Sequence, residues 1–176
     1  MKFVLALAAS LVALSLTACG SDSNSAAAPD STTAPMRSEA AVVSMADPWV
    51  KAVGSGEMSA AFGTLSNSGD AEVTLVSAST SVSDTVQLHE TVMADGTMQM
   101  QQKDGGYTIP AGGSVELVPG GNHIMFMDVT ADLEPGSEVT LTLTFDDGSS
   151  MDVEAVVKDY AGANENYEEN PDMDGM

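Results

Sequence analysis

Two histidines and five methionines crowd into one stretch of this chain, and they define the chemistry to look for. His89 and His123 are the only histidines, and Met93, Met98, Met100, Met125 and Met127, five of twelve methionines, fall between Thr85 and Thr130. Side chains of a strand alternate between faces. In GGNHIMFMDV, residues 120–129, His123, Met125 and Met127 therefore share one face, with Ile124 and Phe126 on the other. Met98 and Met100 share a face in the same way. A lone strand methionine usually fills irregular core space, and a lone histidine is usually hydrogen-bonded packing. Here both histidines lie beside methionine pairs and beside turns, where a hairpin brings them together at the exposed end of a strand.

Imidazole nitrogen combined with thioether sulfur is chemically selective. The thioether is soft and uncharged, a poor ligand for Zn²⁺, Mg²⁺ or Ca²⁺ and a good one for Cu(I). A blue-copper electron-transfer centre requires a thiolate. The single cysteine, Cys19, lies far from the histidines near the N-terminus, which argues against a redox carrier. No GxSxG, HExxH or P-loop pattern occurs, and Asp146-Asp147 and Glu168-Glu169 read as solvated turn and tail residues, so nothing points to an enzyme. With 26 acidic residues against five Lys and Arg, the chain cannot neutralise phosphates, which excludes nucleic-acid binding.

The elements that must position these donors read as strands. Period-two patterning, β-branched residues and Gly/Pro/Asn/Asp punctuation predict strands over 49–53, 58–66, 72–79, 85–92, 97–102, 114–118, 123–130, 138–145 and 151–157. Thr140 to Phe145 alternates strictly, as a strand with one wet face does. Short strands at this spacing, with no helical period, predict an all-β sandwich or Greek-key barrel.

The ends carry other signals. MKFVLALAASLVALSLTAC has one lysine, a short apolar run and small residues, the pattern of a secretory signal too short for a membrane span. Its LTAC resembles the bacterial lipobox, which makes residues 1–18 a lipoprotein signal peptide and Cys19 the lipidated first residue of the mature chain. Residues 19–46 are Ser/Ala/Thr/Asp/Pro-rich and are expected to form a flexible tether. A β-domain is expected over 47–160 and an acidic disordered tail over 161–176. The protein is then lipid-anchored to a membrane of the bacterial cell envelope, on the extracytoplasmic side.

LHETVMADGTMQM, YTIPAGGSVELVPGGNHIMFMDV and LTLTFDDGSSMDVEAVV together resemble the periplasmic copper chaperones called PCu(A)C. The motif of that family falls on His89, Met100, His123 and Met125, with ten residues between the first two and 22 between Met100 and His123. The resemblance implies a cupredoxin-like fold and Cu(I) bound by these two His and two Met. It also implies delivery toward the copper site of cytochrome c oxidase, to its copper subunit directly or through a Sco-type thiol protein. Met98 and Met127 share strand faces with the ligands and are expected to back them or to fill the core. The same donors would serve a copper buffering or resistance protein without specific delivery, and a β-sandwich interaction module would use them only as packing.

Overall fold

The computed structural model describes residues 37–94 and 96–161. The signal peptide, Cys19, most of the expected tether and nearly all of the acidic tail lie outside the described residues. Among those described, a short 3-10 turn at Glu39–Ala41 precedes ten strands and there is no α-helix. The strands are β1 (Val43–Lys51), β2 (Ser59–Asn67), β3 (Val73–Thr80), β4 (Val86–Ala94), β5 (Thr97–Gln102), β6 (Tyr107–Ile109), β7 (Ser114–Leu117), β8 (His123–Phe126), β9 (Glu138–Phe145) and β10 (Ser150–Lys158). They pair in the order β5-β4-β8-β2-β1-β10-β9-β3-β6, with β7 also on β2. β1 is the pivot, antiparallel to β2 and parallel to β10.

The two wings of this sheet enclose one apolar core. Leu88, Ile124 and Phe126 from the β4–β8 wing meet Leu75, Leu141, Leu143 and Phe145 from the other. β9 alternates buried and wet positions as its Thr/Leu sequence requires, and its limits are those expected. Phe126 is fully buried, a placement that contributes about 1.5–3 kcal/mol relative to leaving the side chain in water.

Three departures from the sequence expectation bear on the site. β1 begins at Val43, inside the stretch expected to be tether, and runs through Asp47-Pro48. Those residues look like a strand break because proline donates no hydrogen bond. They form a bulge instead: Ala46 pairs with Thr64 and Trp49 with Phe62, three steps on β1 against two on β2. The extra residue reverses the facing of everything after it. Val43 and Met45 point to the core before the bulge and Val50 after it, which leaves Trp49 on the opposite side. The second departure is β8, expected to run to Thr130 but ending at Phe126.

The strand β6 was not expected. Its entry into the sheet depends on Gly106, which has φ 78° and sits so close to β3 that an added Cβ would collide with the Leu75 carbonyl oxygen. Only glycine meets both conditions.

Candidate metal centre

β8 buries all four of its side chains, two on each face. Ile124 and Phe126 enter the main core, so His123 and Met125 face the other way. In register, His89 on β4 stands directly opposite His123, Gln87 opposite Met125, and Met100 on β5 opposite Thr91. Gln87, His89 and Thr91 are alternate residues, so all of these share the outer face of one wing. The fold thus brings together the four expected donors, His89, Met100, His123 and Met125, from three neighbouring strands. The imidazole rings of His89 and His123 are 5.6 Å apart between centroids.

The face is not exposed, which corrects the expectation of an open strand end. His89 is 0%, His123 3%, Met125 5% and Met100 9% exposed. A second apolar cluster lies on this face: Ala60, Phe62 and Met125, with Trp49 and Met127 packed against it. The Trp49 and Phe62 rings lie 4.5 Å apart, and Phe62 lies 6.2 Å from His123. Trp49 reaches this cluster because of the β1 bulge. A cavity of about 50 Å³ opens among Met58, Phe62, Met100, Pro119, His123 and Met125. His89 does not line it; it is buried beside the ring of His123.

Met98 and Met127, the two methionines expected to back the ligands or fill the core, have different surroundings. Met127 lies past the end of β8, half-buried in the Phe62 cluster. Met98 is 51% exposed, two residues from Met100 toward the hairpin tip.

Hydrogen bonds orient both imidazoles, one to the backbone and one to a side chain. Val118 to Gly121 forms a turn in which the Gly121 N–H donates to the Val118 carbonyl at 3.0 Å and Gly120 has φ 81°. Proline second and glycine third in such a turn match type II. The turn aims the Gly121 carbonyl at His123 Nδ1, 3.0 Å away. A carbonyl only accepts, so Nδ1 carries the proton and Nε2 of the neutral ring carries the lone pair. This is the usual support for a metal-binding histidine. His89 Nε2 lies 2.8 Å from the amide oxygen of Gln87, which by the same reasoning leaves the lone pair on Nδ1. Burial first, and the neighbouring His123 second, lower the His89 pKa from 6.5 to about 4, so this ring stays neutral at mildly acidic pH.

Tyr107, the fully buried first residue of β6, ties the two histidine strands together from the core side. Its hydroxyl donates toward the carbonyl oxygens of His89 at 2.6 Å and His123 at 2.8 Å, and accepts from the His123 N–H at 3.2 Å. Its own pKa is raised, chiefly by burial. Sequence reading missed Tyr107 because β6 is only three residues long, between glycine-rich turns. It missed Met58 as well, although Met58 has the same parity as Ala60 and Phe62 and lines the cavity.

The set is thus two imidazoles and two thioethers in a nearly dry pocket. Among the described residues, no group of three or more His, Cys, Asp or Glu side chains could hold a metal ion. The harder donors that would favour Zn²⁺ or Ca²⁺ are not assembled there.

Comparisons with known proteins agree with this fold. A protein of Leifsonia xyli subsp. xyli named "Putative lipoprotein Lxx21020" is 48% identical over 125 residues, 71% of this chain and 75% of its own. Among solved structures, apo-DR1885 from Deinococcus radiodurans is 29% identical with a TM-score of 0.54, over 84% of this chain and 98% of that one. The copper-bound PCuAC domain from PmoF2 superposes with a TM-score of 0.56 at 21% identity, over 68% of this chain and 94% of that one. The all-β fold is therefore the cupredoxin-like fold of PCuAC domains, as the sequence resemblance implied. Residues 43–157 match the family described as "Putative lipoprotein LpqE-like". The chain belongs to the LpqE-like family.

Proposed function

We propose that this protein is a lipid-anchored, extracytoplasmic copper chaperone that carries Cu(I) on His89, Met100, His123 and Met125. The observation that carries the reading is the register of β4, β5 and β8, which gathers two imidazoles and two thioethers on one buried face. The names of the similar proteins support it from two sides: a relative and a family both named as lipoproteins, and PCuAC domains of like fold, one of them described as copper-bound.

The chemistry follows from the donor set. Neither thioether nor neutral imidazole cancels the positive charge of the ion. The centre therefore stays attractive to an incoming thiolate, such as that of a Sco-type protein or the copper subunit of cytochrome c oxidase. At neutral pH protons compete little with Cu(I) for the His89 lone pair, and the near-dry pocket keeps the ion from oxidants in solution. Residues 1–18 direct export, and lipid on Cys19 holds the domain at the membrane through the tether.

The test is a Cu(I) titration against a competing chelator. The native chain is expected to take one ion tightly, and His89→Ala with His123→Ala to lose it. Unchanged tight uptake by the double variant sinks the proposal. In cells, deletion is expected to impair oxidase assembly at low copper. Sensitivity confined to high copper would favour a buffering role.

A further inference from the structure

The β4–β5 hairpin carries two methionines that the buried centre does not use. Met93 and Met98 are 68% and 51% exposed and stand directly opposite each other in the ladder. They lie on the same face as Thr91 and Met100, one step nearer the hairpin tip. Neither belongs to an apolar cluster. The other exposed positions of β5 are Thr97, Gln101 and Gln102, all polar as a wet strand requires. Packing therefore gives no reason for two thioethers at these positions.

Their chemistry does give one. Directly opposed residues place their Cβ atoms about 4.5–5.5 Å apart, and three rotatable bonds let both sulfurs turn toward one ion. Two soft neutral donors select Cu(I) over hard cations. The four buried donors are 0–9% exposed, so an ion arriving from solution reaches an accessible thioether before it reaches them. A net charge of −21 raises the local concentration of any cation near this surface.

We propose a second, solvent-facing Cu(I) site on Met93 and Met98. It captures the ion and passes it along the shared face to Met100, about 6.5–7 Å from Met98 along the strand. The capture site stands on its own observations; the passage to Met100 rests on the chaperone reading above.

Methionine-methyl NMR of the full mature chain, titrated with Cu(I) and with Ag(I) as a redox-inert substitute, tests both parts. The first equivalent is expected to shift the Met100 and Met125 methyls, and further metal those of Met93 and Met98. Met93→Leu with Met98→Leu should keep the first equivalent, lose hairpin binding, and fill the buried centre severalfold more slowly in stopped-flow mixing. Met93 and Met98 methyls that stay unmoved through several equivalents overturn the capture site. Hairpin shifts with unchanged filling rates in the double variant overturn the passage. Shifts at Met93 and Met98 alone, with Met100 and Met125 silent, would instead overturn the four-ligand reading and leave the hairpin site standing.

Discussion

The two faces of β8 are both buried, yet they are built differently. Ile124 and Phe126 enter a core supplied by strands of both wings, where many neighbours share the packing. Met125 enters a small cluster with Ala60, Phe62, Trp49 and Met127, and His123 lies beside its Phe62 ring. One face has redundancy and no imidazole; the other has imidazole and thioether and little redundancy. The first sets whether the domain folds; on the proposed function, the second sets what it holds once folded. Substitutions on the two faces should therefore separate stability from metal binding.

The largest effect is expected on the core face. Phe126→Ala should cost about 3–5 kcal/mol in denaturant unfolding, with copper binding lost only as the fold is lost. A cost near zero would show that Phe126 is not core.

Next comes pH, through His89. The unfolded residue titrates near 6.5 and the folded one near 4. Between these values the unfolded chain binds the extra proton, so the stability of the metal-free domain rises with pH and is lost as pH falls from 6.5 toward 4. At 1.36 kcal/mol per unit the loss reaches roughly 3 kcal/mol. Urea unfolding at pH 7 and 4.5, compared between the native chain and His89→Leu, isolates this slope from that of the carboxylates. Equal slopes in both would remove His89 as its source.

Tyr107→Phe should cost about 1–3 kcal/mol, because it leaves the buried His89 and His123 carbonyls and the His123 N–H without the hydroxyl. It should also weaken Cu(I) binding, since the hydroxyl fixes the separation of the two histidine strands. Met125→Leu sharpens the contrast furthest. The near-equal volume should keep its stability cost below about 1.5 kcal/mol, while chelator competition reads a clear loss of Cu(I) affinity.

Much of the fold was legible because its strands obey period two. β5 and β9 have the limits expected from alternation and turn residues alone. The pairing of donors was legible as His-x-Met and Met-x-Met, a pattern that fixes a common face whatever the partners. Three things were hidden. The Asp47-Pro48 bulge looks like a strand break, yet it turns Trp49 over the site. β6 is too short to show a period, so Tyr107 gave no signal of its reach to both histidine carbonyls. Burial of the donors depends on which strands lie beside β8, and that order is set by long-range pairing, to which local sequence is blind.

The most direct test of the central claim is X-ray absorption at the copper edge of the full mature chain loaded with half an equivalent of Cu(I). Two nitrogen and two sulfur scatterers are expected, with the nitrogen shell lost in His89→Ala, His123→Ala and the sulfur shell lost in Met100→Leu, Met125→Leu. A shell without sulfur, or one unchanged by either pair of substitutions, would contradict it.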